Sequence, residues 1–151
     1  MKEYKTGPVG PVMKALSLKA PPSRAFAHFT DNIARWWPLA THSLSGALAR
    51  SVVFEAEKGG RIYEIDATGR DREWGRVKEC EPPHRLVFSW VLENPAEATE
   101  VEVTFEDDGR GGTDFTLVHR GWLETKSAVE RRGMYESGWT PVLAKYQGSL
   151  R

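Results

Sequence analysis

The stretch TEVEVTFEDDGRGGTDFTLVHRG, residues 99–121, decides the fold class. On each side of its glycine-rich turn, apolar and polar residues alternate, which is the pattern of a β-strand with one face in the core. We therefore predict a β-hairpin that places one imidazole on an otherwise apolar face. The residues predicted to point inward are Val101, Val103, Phe105, Phe115, Leu117 and His119.

The same alternation continues upstream of this hairpin through four further segments. They are SVVFEAE (51–57), RIYEIDAT (61–68), EWGRVKEC (73–80) and HRLVFSWVLE (84–93). The turns between them are short and rich in Gly, Pro, Asp and Asn. Short turns join antiparallel strands, because parallel strands need long crossover connections. The pattern thus predicts an antiparallel meander.

The EPPH turn at residues 81–84 sets the predicted register of its two strands. A symmetric turn pairs Gly75 with Trp90, Val77 with Phe88 and Glu79 with Leu86. We assign this face to the interior because it is the more apolar, so Trp74, Arg76 and Lys78 are predicted to point outward. Gly75 leaves room for the indole of Trp90, marks a bulge or bend in the sheet, or does both. In RIYEIDAT the inward set is predicted to be Tyr63, Ile65 and Ala67.

The flanks of the meander carry a first strand and three helical segments. VMKALSLKA (12–20) alternates, SRAFAHFTD begins a short helix at Ser23, and a second short helix ends at Trp37 because Pro38 follows. The last segment, from residue 125 to 151, has a helical period. One broad face of this helix carries Val129, Glu136, Trp139, Leu143, Tyr146 and Leu150. Pro141 predicts a kink, or a restart capped by Thr140.

This order of elements predicts one α+β domain over residues 1–151. A seven-stranded antiparallel sheet curves around the long C-terminal helix, with two short helices between strands 1 and 2. A sheet and a helix each have one apolar face, and packing one against the other buries both.

Composition excludes several classes of function. Lys plus Arg equals Asp plus Glu at 21 each, so no basic field exists for a nucleic acid. A single cysteine rules out an internal disulfide and a cysteine-built zinc site. No apolar run approaches the ~20 residues of a membrane helix. We predict a soluble cytoplasmic protein.

The segments together resemble the activator of heat-shock protein 90 ATPase homologue-like (AHSA-type) family of the SRPBCC, or START-like, birch-pollen-allergen-like, superfamily. The matching pieces, from about Val12 to Leu150, are PSRAFAHFTD followed by WW, KGGRIYE, WGRV, EPPHRLVFSW, EVEVTFE, GGTDFTLVHRGW and ESGWTPVLAKYQGSL. The resemblance implies a helix-grip fold with a cavity between sheet and final helix. The chaperone-activating role is not expected to carry over, because the family's cochaperone uses an N-terminal domain for which this chain has no room.

The titratable residues give weak signals for catalysis. The four histidines, at positions 28, 42, 84 and 119, show no metal-ligand spacing. His28 and His84 are predicted to be solvated. A cluster of His42, His119 and Glu136 at the cavity is conceivable, although a structural role for each is favoured. For Glu136 the solvated edge of the helix is favoured over a buried pair.

Nucleophilic and phosphate-binding chemistry find no support. No GxSxG motif is present, and Cys80 is predicted to point outward with no base beside it. The loop DDGRGGT joins two strands, whereas a phosphate loop opens a helix. We predict no metal and no cofactor.

The aromatic content suggests a binding cavity, since six Trp, six Phe and four Tyr exceed what a core of this size needs. We predict a non-catalytic START-like domain that binds a small apolar or amphipathic molecule, with His119 as the hydrogen-bonding anchor. The predicted lining residues are Trp37, Tyr63, Phe88, Trp90, Phe105, Leu117, His119, Tyr135 and Trp139. The alternatives are a cyclase-like or hydrolase-like enzyme that uses His119 with Glu136 or His42, and a chaperone-interaction or other protein-interaction module. A homodimer stays open as an assembly state.

The stretch ARWWPLATHS (34–43) links these expectations to the cavity. On a helical turn two adjacent indoles point about 100° apart, so they cannot serve the same face. We predict that Trp36 packs in the core and that Trp37, with the loop from Pro38 to Ser43, lies at the mouth of the cavity.

Overall fold

A seven-stranded antiparallel sheet forms the frame of the computed structural model, which describes residues 9–150. Its strands are β1 Val12–Leu18, β2 Ala49–Phe54, β3 Arg61–Asp66, β4 Asp71–Glu81, β5 Arg85–Trp90, β6 Thr99–Asp107 and β7 Thr113–Arg120. Their spatial order is β1-β7-β6-β5-β4-β3-β2, so β1 and β2 are the edges. The helices are α1 Pro22–Thr30, α2 Ile33–Trp36 and α3 Lys126–Ser149. The predicted α+β helix-grip architecture, with a curved sheet around α3 and two short helices after β1, is confirmed.

The β6–β7 hairpin folds in the predicted register. Val101 pairs with His119, Val103 with Leu117, and Phe105 with Phe115. All of these side chains are buried with no exposed area. The alternation in the sequence was sufficient here because neither strand contains an irregularity that would shift its phase.

The face that α3 buries differs from the prediction near its N-terminal half. Val129 is exposed and its neighbour Ala128 is buried instead, and Val142 joins the buried face further along the helix. Glu136 lies 3.8 Å from the ammonium of Lys14 at the surface, which confirms its solvated position. No helix of the described chain, α3 included, is both long and apolar enough to cross a membrane.

Pro141 does not divide α3, so the predicted restart at Thr140 is not observed. Proline removes the hydrogen bond to the carbonyl four residues earlier, which belongs to Ser137. Both Ser137 and Pro141 are on the exposed side of the helix, where water can donate a hydrogen bond to that carbonyl.

Strand β4 contains two bulges that the symmetric register did not foresee. Ile62 pairs with Gly75 while Tyr63 pairs with Glu73, so Trp74 is an inserted residue. It was predicted to point outward, but it is 1% exposed. A second shift follows the confirmed pairing of Val77 with Phe88, because Glu79 then faces Val87 and Cys80 faces Leu86. A bulge changes which residues share a face.

Gly75 lies at the first bulge of β4, where a side chain would not fit. A Cβ atom at this position would lie 1.7 Å from the carbonyl oxygen of Ser89 on β5. The neighbouring strand therefore comes too close for any side chain, which confirms the bulge interpretation of the glycine.

The prediction for β3 is wrong by one residue. Ile62 and Glu64 point inward, with exposed fractions of 1% and 0%. Tyr63 lies on the outer face, where the guanidinium carbon of Arg61 is 4.4 Å from its ring centroid. Both faces of β3 carry polar as well as apolar residues, so the alternation in the sequence alone did not decide which face points inward.

Candidate functional site

A cavity of about 260 Å³ opens between the sheet and α3. This volume lies just below the ~300 Å³ at which drug-sized sites begin. Its aromatic walls are Trp37, Trp74, Trp90, Tyr135 and Trp139. The remainder of the lining is Thr41, His42, Ser43, Leu44, Leu92, Met134, Gly138 and Val142. No Lys, Arg, Asp or Glu is among these residues, so the walls carry no fixed charge.

The two adjacent tryptophans divide between core and cavity as predicted. Trp36, at the end of α2, packs on Phe29 and Tyr146 with ring centroids 5.4 and 5.0 Å apart. The helix ends at Trp36, and the extended backbone of Trp37 directs its indole toward Trp74, at 5.0 Å. Pro38 enforces this end, because a residue before proline leaves the helical region.

Every indole in the cavity has its N–H group satisfied by the protein. Trp37 donates to the carbonyl of His42 (2.7 Å) and Trp139 donates to Nδ1 of His119 (3.0 Å). Trp74 donates to Glu64 Oε1 at 2.6 Å. Trp90 donates to the hydroxyl of Tyr135 at 2.9 Å. An indole has no other polar atom, so these four residues present only carbon and π surface to the cavity.

Glu64 is a buried carboxylate that positions the cavity wall from behind. Besides Trp74, its oxygens accept the backbone N–H groups of Leu44 (2.6 Å) and Ser45 (2.8 Å). Burial, the largest influence, raises the pKa of Glu64, but these hydrogen bonds together outweigh it and leave the pKa below its ordinary value. The charged carboxylate therefore fixes one indole of the wall and the loop that carries Leu44.

Arg72 connects two loops beside the cavity. Its Nη1 lies 3.5 Å from the hydroxyl of Ser45, and its Nε donates to Glu93 at 3.1 Å. Leu92, which lines the cavity, and Glu93 adopt φ values of 51° and 64°. Such left-handed backbone is costly for residues with side chains and is held by surrounding contacts.

His119 is part of the core, and this corrects its prediction as the ligand anchor. Because an indole only donates, Nδ1 accepts from Trp139, and Nε2 must then carry the proton that it gives to Thr99 Oγ1, 2.7 Å away. Burial, with a smaller contribution from Arg131, lowers the pKa of His119 to about 3. The ring is neutral, both nitrogens are engaged, and it does not line the cavity.

The predicted lining residues fall into three groups. Trp37, Trp90, Tyr135 and Trp139 do line the cavity. Phe88, Phe105, Leu117 and His119 are buried on the same face of the sheet but pack in the solid core, away from the lining. Tyr63 points to the outer face because of the register of β3.

Sequence reasoning missed Trp74 and the positioning carboxylate Glu64. The bulge hid the first, and the one-residue error in β3 hid the second. The sequence EWG held the only signal, because a glycine beside a large aromatic residue in a strand indicates a bulge.

The proposed acid–base cluster does not form. Nδ1 of His42 pairs with the Thr41 hydroxyl at 2.8 Å, Glu136 is at the surface, and His119 is enclosed by Thr99 and Trp139. Nowhere in residues 9–150 do three His, Cys, Asp or Glu side chains converge as metal ligands would.

The other two histidines and the cysteine lie outside the cavity lining. His84 is exposed as predicted, but His28 is half-buried and shares a 2.7 Å hydrogen bond with Ser149. Cys80, predicted to point outward, is half-buried, and its thiol donates to the carbonyl of Ala56 at 3.3 Å. Burial, together with the nearby charge of Glu57, raises the pKa of this thiol, which makes it a poor nucleophile.

Residues 19–147 match the protein-family model described as Activator of Hsp90 ATPase homolog 1-like protein. No curated protein matches the sequence.

Solved structures show the same fold. The anthrahydroquino-gamma-pyrone synthase Txn09 is 29% identical, with a TM-score of 0.61 over 91% of this chain and 95% of its own. CalU16 from Micromonospora echinospora is 23% identical, with a TM-score of 0.67 over 98% and 80% of the two chains. The Aha1 dimer from Colwellia psychrerythraea is 17% identical, with a TM-score of 0.70 over 93% and 95%.

Proposed function

The chain belongs to the family of activator of Hsp90 ATPase homolog 1-like proteins, and we propose that it binds a small, flat, uncharged aromatic molecule in the cavity between sheet and α3. One observation carries this proposal. Five aromatic side chains wall the cavity, all four indole N–H groups are taken by protein acceptors, and no charged side chain joins the lining. A charged ligand would lose its hydration in such a cavity without a compensating partner.

The arrangement of the rings favours a stacked ligand over an enclosed cation. Trp37 contacts Trp74, Trp90 and Trp139 with centroid distances of 5.0 to 6.0 Å. Rings this close pack against one another and form a continuous wall, whereas an aromatic cage needs open space between its faces for the ammonium group. A flat ring system can lie on this wall and gain offset-stacked or edge-to-face contacts.

The comparisons support a ligand of this kind. The name of Txn09 contains an anthrahydroquinone and a pyrone, both of which are flat ring systems. That protein is a synthase, but a catalytic role for the present chain lacks the acid–base pair on which it would depend, since His119, His42 and Glu136 are each engaged elsewhere.

A protein-interaction module is also less well supported. The large apolar residues that are exposed are Met13, Leu48, Leu123, Val129 and Met134, of which only Val129 and Met134 share an element, α3. An interaction module would keep a filled interior behind an apolar patch, but here space is left beneath α3. The homodimer and the cytoplasmic location stay predictions.

Two glycines of α3 provide a matched test. Gly138 lines the cavity, Gly133 does not, and a Cβ at either position would meet no atom within 4 Å. Gly138→Leu should fill the cavity without straining the helix, and Gly133→Leu should leave the cavity open. Leucine favours the helix in both variants.

The experiment combines native mass spectrometry with a binding titration. Mass spectra of the purified protein should reveal a co-purifying small molecule. 2-Ethylnaphthalene should quench tryptophan fluorescence saturably in the natural protein and in Gly133→Leu, and its affinity should fall at least tenfold in Gly138→Leu. Equal affinity in both variants would show that the cavity is not the binding site.

A further inference from the structure

The polar atoms that line the cavity are almost all engaged within the protein. The hydroxyl of Thr41 donates to the carbonyl of Pro38 at 3.3 Å, and that of Ser43 donates to the carbonyl of Leu39 at 2.6 Å. The four indole N–H groups have the acceptors already described. His42 pairs Nδ1 with the Thr41 hydroxyl. Because that hydroxyl donates to Pro38, Nδ1 carries the ring proton, and Nε2, which has no partner among residues 9–150, can only accept.

Among the described lining residues, Tyr135 is the side chain with an unused hydrogen-bond donor. Its oxygen accepts the N–H of Trp90 at 2.9 Å, but its own proton has no acceptor among residues 9–150. A phenol is both donor and acceptor, so half of its capacity is unused by the protein. The side chain is on the lining of the cavity, where a bound molecule can reach it.

We propose that Tyr135 is the specificity-determining donor of this cavity and selects a ligand that carries a carbonyl oxygen on its aromatic ring, such as an aryl ketone or a quinone. This inference rests on the proposed function and names the chemical class of its ligand. A carboxylate is a poorer match, because no cation lines the cavity to compensate its charge.

The protonation state of Tyr135 agrees with a donor role. Burial raises the pKa of the phenol, and the smaller opposite effects of the Trp90 hydrogen bond and of Arg131 do not cancel it. The group therefore keeps its proton at neutral pH. The N–H that it accepts from Trp90 polarises the hydroxyl further, which strengthens the bond that it donates.

Discrimination arises from the cost of leaving this donor unpaired. In the free cavity, water can accept the proton of Tyr135. A ligand without an acceptor displaces that water and buries the O–H group unsatisfied, whereas a carbonyl replaces the lost bond. Sites built in this way reject analogues that lack the matching group more strongly than purely apolar pockets do. We expect a discrimination of roughly tenfold or more.

The test uses two probes that differ in one group. 2-Acetylnaphthalene carries a carbonyl where 2-isopropenylnaphthalene, of nearly the same shape, carries a methylene. Transfer from water to an apolar site is more favourable for the hydrocarbon, so hydrophobicity alone would favour 2-isopropenylnaphthalene. We expect the natural protein to prefer the ketone at least tenfold in fluorescence titrations at pH 8.

Tyr135→Phe should remove the preference, because it should lower the affinity for the ketone and leave the affinity for the hydrocarbon unchanged. Tyr63→Phe, which alters a tyrosine on the outer face of the sheet, should keep the preference. The carbonyl stretch of bound 2-acetylnaphthalene, measured by infrared difference spectroscopy, should lie at lower frequency in the natural protein than in hexane. The infrared measurement needs no variant, so it tests the hydrogen bond even if Tyr135→Phe fails to fold.

The outcomes separate the two proposals. If both probes bind the natural protein with equal affinity and the carbonyl stretch is unshifted, the donor role of Tyr135 is wrong and the aromatic binding function remains. If neither probe binds, both proposals fail. Retention of the ketone preference in a folded Tyr135→Phe protein would also overturn the role of this residue.

Discussion

Replacing Glu64 by glutamine should loosen the cavity wall and destabilise the protein. The carboxylate is fully buried and accepts hydrogen bonds from Trp74, Leu44 and Ser45. In Glu64→Gln the amide carbonyl can still serve the two donors that share Oε1. The amide NH₂ then takes the place of Oε2 and faces the N–H of Ser45, so one donor meets another.

The magnitude follows from these bonds. A hydrogen bond to a charged group contributes about 1.5–3 kcal/mol, and a buried unsatisfied donor costs about 1–3 kcal/mol. In Glu64→Gln one of the three hydrogen bonds is lost, and the other two are made to a neutral acceptor. The neutral amide costs less to bury than the carboxylate, which offsets part of this loss in stability. We expect a net loss of about 2–4 kcal/mol in the free energy of unfolding, or about 4–16 °C in Tm at about 2–4 °C per kcal/mol.

The loss should depend on pH in a defined direction. The pKa of Glu64 is lower in the folded protein than in the unfolded chain, so the folded state binds fewer protons. Its contribution is complete above the ordinary carboxyl pKa of about 4.3 and is lost as the pH falls through the folded pKa. The natural protein and Glu64→Gln should therefore differ fully at pH 7 and converge in acid.

Urea denaturation followed by tryptophan fluorescence, at several pH values from 7 to 3, measures both effects. Glu106→Gln provides the control, because Glu106 is exposed on β6. The reasoning is refuted if Glu64→Gln unfolds within about 0.5 kcal/mol of the natural protein at pH 7, since surface substitutions already span that range. A difference that stays constant down to pH 3 would refute the role assigned to the charge.

Three further predictions concern other buried groups. The pKa of His119 is lowered to about 3, so the unfolded chain binds an extra proton below its ordinary pKa of about 6.5. Stability should thus fall by up to about 1.4 kcal/mol per pH unit as the pH drops below that value, and urea unfolding of His119→Gln should lack this part of the slope. Gly75→Ala should lower the free energy of unfolding by more than about 3 kcal/mol in thermal melts, because its Cβ would lie 1.7 Å from the Ser89 oxygen. Gly133→Ala, which meets open space on a helix, should instead be neutral or stabilising by up to about 1 kcal/mol. Iodoacetamide at pH 7.5 should modify Cys80 at least about tenfold more slowly in the folded protein than in guanidinium chloride, as followed by mass spectrometry, because burial disfavours the thiolate; equal rates would contradict its burial.

Regular patterns in the sequence predicted the parts of the fold that are themselves regular. The alternation through Val101, Val103 and Phe105 identified the inward face of β6, and the same period worked in β7. Pro38 predicted the end of α2 to within one residue, since the helix ends at Trp36 and not at the predicted Trp37. In each case local stereochemistry alone limits the backbone, so the neighbouring residues contain enough information.

The cavity depended on features without a local signature. Trp74 lies in the cavity wall because a bulge turns it inward. Glu64 faces inward because the register of β3 differs by one residue from the prediction. The position of the bulge depends on how closely neighbouring strands approach, as between Gly75 and Ser89. The register of β3 depends on hydrogen-bond donors from a distant loop, which the buried carboxylate requires.

The sequence by itself therefore determined the helix-grip fold and an aromatic interior. Only the tertiary structure decided which aromatic residues surround open space, that every indole N–H there is engaged, and that the hydroxyl proton of Tyr135 has no acceptor among residues 9–150. The physical reason is that secondary structure follows from residue periods, whereas a binding cavity is defined by hydrogen bonds and contacts between segments far apart in the chain.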